Sequence, residues 1–458
     1  MPQDEAGGEI MVNNKLTRAF VSAGLCSLLL CSTQSHAEDL LQLYHAALDG
    51  DPQLKAAQFN HQASQEVVTQ AWSGYRPKVT LDYEQVQNTQ KILSSDNTVY
   101  GGGNTSFPST TWTIEITQPI FRYANYVRIG QSKSELLQAD AELINAQQEM
   151  ILRVSESYMK ALSAKDERDF IQSELSSARQ HLKQAKGRES AAVGRKVDRY
   201  DAEARVATVE ADYAAADIAL RDAYEALYEM TGLDLNSIAE LRAEIDLVLP
   251  VPADEQYWLK NAMTNNPALV AQREAVNVAQ KEIKRQNAGH YPTLDAVFRN
   301  HNEDVGGSLF GGASEVETQE MILRFNLPIY SGGSVSSQKR QAVARYHSAE
   351  QELTRIMRES RRQSRENYWG VVNSVKRVNA FKKAVEAQQA TLDLRRAAYD
   401  ARLETAISVL DAERDFYSAK RDLSRAKYDY LINGLRLKAL VGVLTQDDLM
   451  LVNNWLQE

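Results

Sequence analysis

The sequence predicts a mainly α chain, internally duplicated, in which long coiled-coil helices form an α-barrel and four strands per copy enter a shared membrane β-barrel. Three observations predict this. Two short β-signals of the same layout interrupt the helical pattern at equivalent places. Seven-residue apolar spacings run through the stretches between them. Four strands are too few to close a barrel, which needs about eight, and open strand edges cannot face lipid because their N–H and C=O groups find no water there. Several copies must therefore pool their strands. Three copies give twelve strands above a cylinder of twelve packed helices.

Composition sets the helical background. Among 458 residues there are only 22 Gly and 10 Pro, and 25% are charged, a balance that favours long helices. A net charge of -9, with no basic cluster interleaved with aromatics, argues against a nucleic-acid partner.

Residues 1–37 read as an N-terminal extension and a signal peptide. Lys15 and Arg18 precede the apolar run "AFVSAGLCSLLLC", and "SHA" at Ser35 to Ala37 offers small residues for cleavage. The run is too short to span a bilayer. Asp4, Glu5 and Glu9 do not suit a signal, so Met11 is the expected start. Both cysteines, Cys26 and Cys31, lie in this segment, which leaves the mature chain without thiol chemistry. Each follows a Leu rather than the small residue that lipoprotein processing requires, so an unlipidated exported protein is expected.

The rest divides into two units, 38–245 and 246–458. Pro77 recurs as Pro292, Asp51-Pro52 as Asn266-Pro267, "QPIF" (Gln118 to Phe121) as "LPIY" (Leu327 to Tyr330), and Gly232 as Gly442. Each unit begins with a helix, near 53–73 and 268–288. A strand pair follows, within 77–118 and 292–327. Its strands are expected at 77–87, 110–118, 292–300 and 318–327, joined by polar loops 88–109 and 301–317. Pro119 and Pro328 end the second strands. Long helices then occupy 123–232 and 332–443, before a C-terminal segment.

The strands alternate with period two. Trp112, Ile114 and Ile116 oppose Thr113, Glu115 and Thr117; Met321, Leu323, Phe325 and Leu327 oppose Arg324 and Asn326. A soluble half-buried sheet gives the same pattern, and the rival reading is a periplasmic or secreted coiled-coil spacer without a pore. The export signal and the aromatics Tyr83, Trp112, Phe121 and Tyr330 favour the barrel. In the helices, Leu137, Ile144, Ile151 and Tyr158 are spaced by seven, as are Val371, Val378, Val385 and Leu392. Sustained spacing of this kind means left-handed coiled-coil packing. Pro-free runs at 123–186 and 333–400 reach about 100 Å each at 1.5 Å per residue.

The duplicated units, the Pro-flanked strand pairs, the ending "AYEALYEMTG", and the C-terminal stretches "LPIYSGGSVSSQKRQA", "VLDAERDFYSAKRDLSRAKYDYLINGLRLKALVG" and "LTQDDLMLVNN" together resemble the TolC family of outer-membrane channels, over essentially the whole mature chain. The resemblance implies a homotrimer in the outer membrane of a Gram-negative bacterium, in contact with its lipid and extended by a periplasmic helical tunnel. It implies a periplasmic adaptor protein and an inner-membrane ABC or RND-type transporter as partners. It implies export of secreted protein by type I secretion, of small molecules by efflux, or of both.

In that family the far tips of the helical hairpins close the tunnel entrance. Here they read "AAVGRKVDRYDAEA" and "YDARLETAISVLDAER". Asp198 and Asp201 match Ser408 and Asp411, and each pair is spaced i, i+3, on one helix face. About a threefold axis, inward carboxylates form rings that favour cations; read from the residues alone, they are equally solvated groups near helix N-termini. Ser408 stands where a second acidic ring is expected. Glu404 stands where an Arg would latch the gate, so that latch does not carry over; Arg195 and Arg402 are the candidates to replace it. The resemblance leaves a Tyr399–Asp198 hydrogen bond as the expected tie. Val193, Gly194 and Arg402 mark the tip that would contact the adaptor. No catalytic or metal-ligating constellation appears: the seven His are scattered without ligand spacing, and no P-loop is present. No cofactor is expected, and transport energy must come from a partner.

Overall fold

The computed structural model describes residues 38–91, 93–94, 103–307 and 312–457. The expected signal peptide lies outside the described residues. The first half contains α1 (Leu40–Gly50), α2 (Pro52–Ser73), β1 (Lys78–Lys91), β2 (Asn104–Arg122), α3 (Tyr123–Ser190), α4 (Lys196–Thr231) and β3 (Glu240–Leu241). The second contains α5 (Glu255–Asn265), α6 (Pro267–Asn287), β4 (Thr293–Val305), β5 (Ser314–Asn326), α7 (Ser334–Asp400), α8 (Ala406–Leu440), α9 (Gln446–Asn453) and β6 (Leu456–Gln457).

Local chemistry starts these elements in the same way in both halves. Asp51 accepts from the Gln53 and Leu54 amides, with Pro52 at the first helical position; Asn266 accepts from the Ala268 amide, with Pro267 behind it. Each cap satisfies donors that the helix cannot. Gly232, at φ 68°, ends α4 in the left-handed conformation that glycine adopts without a steric penalty.

The long helices contain 68 and 67 residues, which makes each about 100 Å long. α3 pairs with α4 and α7 with α8 as hairpins, and α3 also packs against α8. The expected seam is buried at Ile151, Tyr158, Val371, Val378 and Leu392, but Leu137 and Ile144 are 52% and 47% exposed. In that stretch α3 lies between α2 and α6, and the small residues Ser132, Ser134, Ala139 and Ala141 form the close-packed surface instead.

The largest apolar core is a girdle midway along the hairpins. α1, α5, α9 and the β3–β6 sheet, all absent from the sequence reading, wrap α3, α4, α7 and α8 there. Tyr158 is fully buried and donates to the Ala239 carbonyl at 2.7 Å. The Tyr430 hydroxyl accepts from the Val248 amide at 2.8 Å and lies 3.0 Å from the Val248 carbonyl, to which it donates.

The strands are longer than expected, and the loops correspondingly shorter. Residues 88–91, 104–109, 301–305 and 314–317 are strand. They are rich in Thr, Ser, Asn and Glu and carry no hydrophobic alternation, so pattern reading ends the strands early. Pro119 does not end β2. The strand continues to Arg122 through a register shift between Pro119 and Phe121, the kind of site at which a strand accommodates a residue without an N–H.

Candidate functional site

The four long strands form one antiparallel sheet in the order β1-β2-β4-β5. Register decides what its two faces carry. Val79, Ile116, Phe298 and Met321 form one continuous row across all four strands. Leu81, Tyr83, Ile114, Trp112, Leu323 and Phe325 share that face, because residues two apart on a strand point the same way. Much of it is open: Met321 is 90% exposed and Leu323 69%. A water-soluble sheet would bury such a face.

The opposite face is polar and paired. Arg299 bridges Glu115 at 2.9 Å and Glu320 at 3.0 Å. Arg122 binds the buried Asp295 at 2.7 Å, and Thr113 hydrogen-bonds His301 at 3.0 Å. Apolar outside and polar inside is the division of a membrane barrel.

The apolar band also crosses the strands obliquely. On β1 it centres on Leu81, whose row leads through Ile114 and Asn300 to Gln319 on β5. On β5 the band instead centres between Leu323 and Phe325. The displacement is about five residues, roughly 17 Å, across three strand spacings of about 4.8 Å each. A band level with a membrane therefore requires strands tilted by about 45–50°, close to the tilt of barrel strands.

At the far end, the two hairpin tips meet around a cavity of about 150 Å³ lined by Gly194, Arg195, Asp198, Asp201, Tyr399 and Glu404. Both tips turn in the same way. Ala192 (φ 57°) and Arg402 (φ 62°) are left-handed. The amides of Val193 and Ala192 donate to the carbonyls of Arg188 and Glu189; those of Leu403 and Arg402 donate to Ala398 and Tyr399. These are the paired bonds of a Schellman ending. The apolar residue that follows, which normally packs back on the helix, is open in both turns: Val193 is 78% exposed and Leu403 81%. Gly194 serves close approach rather than a positive φ, since a Cβ there would lie 2.9 Å from the Arg188 Cβ.

The expected ties are rearranged. Among the described residues, Tyr399 makes no hydrogen bond to Asp198. Arg195 holds Asp198 at 2.9 Å within its own turn. The Tyr399 ring instead carries the Arg188 guanidinium 4.8 Å from its centre and meets the His181 ring edge-on. Glu404 pairs with Arg395 of its own hairpin, and the nearby Ser408 hydroxyl, with Arg395, holds its carboxylate below the usual range. Arg402 forms part of the left-handed turn rather than a latch. Asp411 is exposed and faces Arg414 at 3.4 Å. Asp201 is exposed at the cavity rim.

A buried contact between the two hairpins, near their tips, is one that sequence reading missed. Glu413 on α8 is only 2% exposed. It accepts from Ser177 of α3 at 2.5 Å and from Arg396 of α7 at 2.7 Å, with His181 of α3 at 3.7 Å. Burial alone would raise its pKa, but the nearby His181 and the hydrogen bonds of Ser177 and Arg396 bring it down to about 2. A signal was present. Glu413 lies four residues after Val409 and three before Phe416, on the apolar stripe, where a charge needs partners.

The comparisons with known proteins agree with this geometry. The family described as outer membrane efflux protein matches residues 43–233 and 258–443. The chain is 28% identical to the outer membrane protein TolC of Vibrio cholerae, over 96% of this chain and 98% of that protein. It is likewise 28% identical to the protease secretion protein PrtF of Dickeya chrysanthemi, over 93% of each. The crystal structure of the Campylobacter jejuni CmeC outer membrane channel superposes with a TM-score of 0.78 at 14% identity, covering 92% of this chain and 90% of that one. The chain belongs to the outer membrane efflux protein family: it is an outer-membrane export channel whose strands lie in the membrane and whose long helices form a periplasmic tunnel.

Proposed function

We propose that three copies assemble into one export duct, each supplying four of twelve barrel strands and two of six helical hairpins. The observation that carries this reading is a sheet with an open apolar face, a paired polar face and two unpaired edges, β1 and β5. Lipid accepts the face but not the edges. Each copy contributes the two units 38–245 and 246–458.

The entrance is formed by the tips. Asp198, Asp201, Ser408 and Asp411 line its constriction, with Asp411 forming a threefold carboxylate ring that favours cations. Glu404 braces the second hairpin through Arg395, while the Tyr399 ring meets Arg188 and His181 of the first. The exposed Val193, with Gly194, Arg402 and Leu403, offers a periplasmic adaptor two equivalent apolar knobs per copy. An inner-membrane ABC or RND-type transporter supplies the energy. The name of the Dickeya relative supports secreted protein among the cargoes.

The test is the native mass of the detergent-extracted mature protein. Three copies per particle is the expected result; a stable single copy would overturn the shared barrel.

A further inference from the structure

The two halves share one architecture, so the seam between them serves as a template for contacts the chain cannot make with itself. Among the described residues, β2 has β1 on one side and β4 on the other, whereas β1 and β5 each have one free edge. The helices behave alike. α6 packs between α3 and α7, whereas α2 packs chiefly on α3 and is much more exposed, with Phe59 at 66% and Trp72 at 46%.

Two offsets relate the strands. Pro77 and Pro292 place β1 and β4 215 residues apart; Pro119 and Pro328 place β2 and β5 209 apart. Applied to the first hairpin, they turn the pair Val79–Ile116 into Leu294–Phe325, and Lys78–Thr117 into Thr293–Asn326. Both products are observed pairs, so the offsets carry one register onto the other without a slip.

The same offsets carry the β2–β4 seam onto the free edges. Glu115–Arg299 becomes Arg324–Glu84, Ile116–Phe298 becomes Phe325–Tyr83, and Gln118–Ala296 becomes Leu327–Leu81. We propose that β5 of one copy pairs antiparallel with β1 of the next in the register that sets Arg324 opposite Glu84. This rests on the shared-barrel reading and adds its register and its contact residues.

Charge and exposure support the register. The ion pair of the internal seam reappears with its signs exchanged, acid on β2 becoming base on β5. Glu84 and Arg324 are both exposed; among the described residues neither makes an ion pair within 4 Å, and Arg324 stands opposite Asp295 of its own copy, which is already held by Arg122. Both lie on the polar face, since each is one residue from Tyr83 or Phe325 on the apolar face. On the apolar side, Tyr83 is 65% exposed, Phe325 64% and Leu81 68%, and the register sets these edge residues side by side. The helices below continue the pattern. At the internal seam Lys281 of α6 donates to the Gly130 carbonyl at 2.8 Å and to Ser134 at 2.7 Å. The offsets carry Lys281 onto Glu66 of α2 and Gly130 onto Lys339 of α7, with Arg340 beside it, and Ser134 onto Val343. Again the contact gains opposite charges, on residues exposed in the single copy.

The experiment is oxidative cross-linking of cysteine pairs in the full-length protein, after extraction in detergent. Directly opposed residues have Cβ atoms about 4.5–5.5 Å apart, while a two-residue slip moves them to about 7–8 Å. Glu84→Cys with Arg324→Cys should give covalent multimers on a denaturing gel, severalfold more than Asp82→Cys or Val86→Cys with Arg324→Cys. Stronger cross-linking at Asp82 or Val86, or none at any of the three in a particle of several copies, overturns the register and leaves the shared barrel standing. A particle of one copy overturns the barrel itself. A second measurement does not depend on cysteines. Arg324→Glu should lower the assembled fraction severalfold, and adding Glu84→Arg should restore it; failure of the exchange to restore assembly counts against the pair.

Discussion

The girdle and the tips of the same helical hairpins are held in opposite ways. At the girdle, Tyr158, Leu227, Leu162 and Ala262 are almost wholly excluded from water, and added elements wrap the helices. At the tips, the two hairpins touch through Glu413, Ser177, His181 and Arg396, and around a cavity lined by charged groups. Burial of apolar surface has no directional alternative and is costly to undo. A set of hydrogen-bonded charges can exchange partners or water as it opens. The difference places rigidity midway along the hairpins and adaptability at their tips, where the proposed entrance lies.

The largest expected effect is at the girdle. Tyr158→Ala should destabilise the protein by about 3–5 kcal/mol, read as loss of the cooperative thermal transition in detergent. Tyr158→Phe removes only the hydroxyl, which donates to the Ala239 carbonyl at 2.7 Å with the Glu38 carbonyl at 3.4 Å, and should cost about 1 kcal/mol. Equal costs for the two would show that packing is not what holds the girdle.

Next comes the tip cluster. Glu413→Gln should cost about 1–3 kcal/mol at neutral pH and raise the open conductance of the reconstituted channel. The pH dependence has a definite sign. The folded pKa is depressed to about 2 from an ordinary 4.5, so this stabilisation is complete above the ordinary carboxylate range and is lost as pH falls toward 2. Amide hydrogen exchange at the tip should show that loss in the native protein and a flatter profile in Glu413→Gln. Identical profiles would remove Glu413 from the contact.

A smaller effect of opposite sign belongs to the turns. Arg402→Gly or Ala192→Gly should stabilise the tip by about 1 kcal/mol, the relief of a left-handed non-glycine residue, seen as slower exchange of the turn amides. The smallest stability change belongs to Asp411→Ala, within about 0.5 kcal/mol. That variant should nevertheless weaken cation selectivity and block by multivalent cations in planar bilayers. Unchanged selectivity and unchanged block would take Asp411 out of the constriction.

Much of this arrangement is legible in the sequence, for identifiable reasons. Pro77 and Pro292, the proline-free runs and the recurrent Asp51-Pro52 and Asn266-Pro267 caps act locally, so they fix the order of elements. The outer parts of the strands were missed because residues such as Thr89, Ser106 and Glu315 alternate no hydrophobicity. α1, α5 and α9 escaped because short helices acquire meaning only from the girdle they complete. At the tips, Glu404 and Ser408 were visible as departures from the family pattern, but their partners were not. Which of several arginines meets which carboxylate depends on the turn geometry at Ala192 and Arg402. The residue that joins the hairpins, Glu413, was readable only as a charge on an apolar stripe.

In the proposed register, the two seams carry exchanged signs. Within one copy, acid on β2 meets base on β4; between copies in the proposed register, base on β5 meets acid on β1. Exchanging the two seams would set Glu84 against Glu115, or Arg299 against Arg324. Each misfit sets like charge against like at the point where the correct partner would have neutralised it. The duplication that gives both halves one shape thus leaves the internal seam and the proposed one between copies electrically distinguishable.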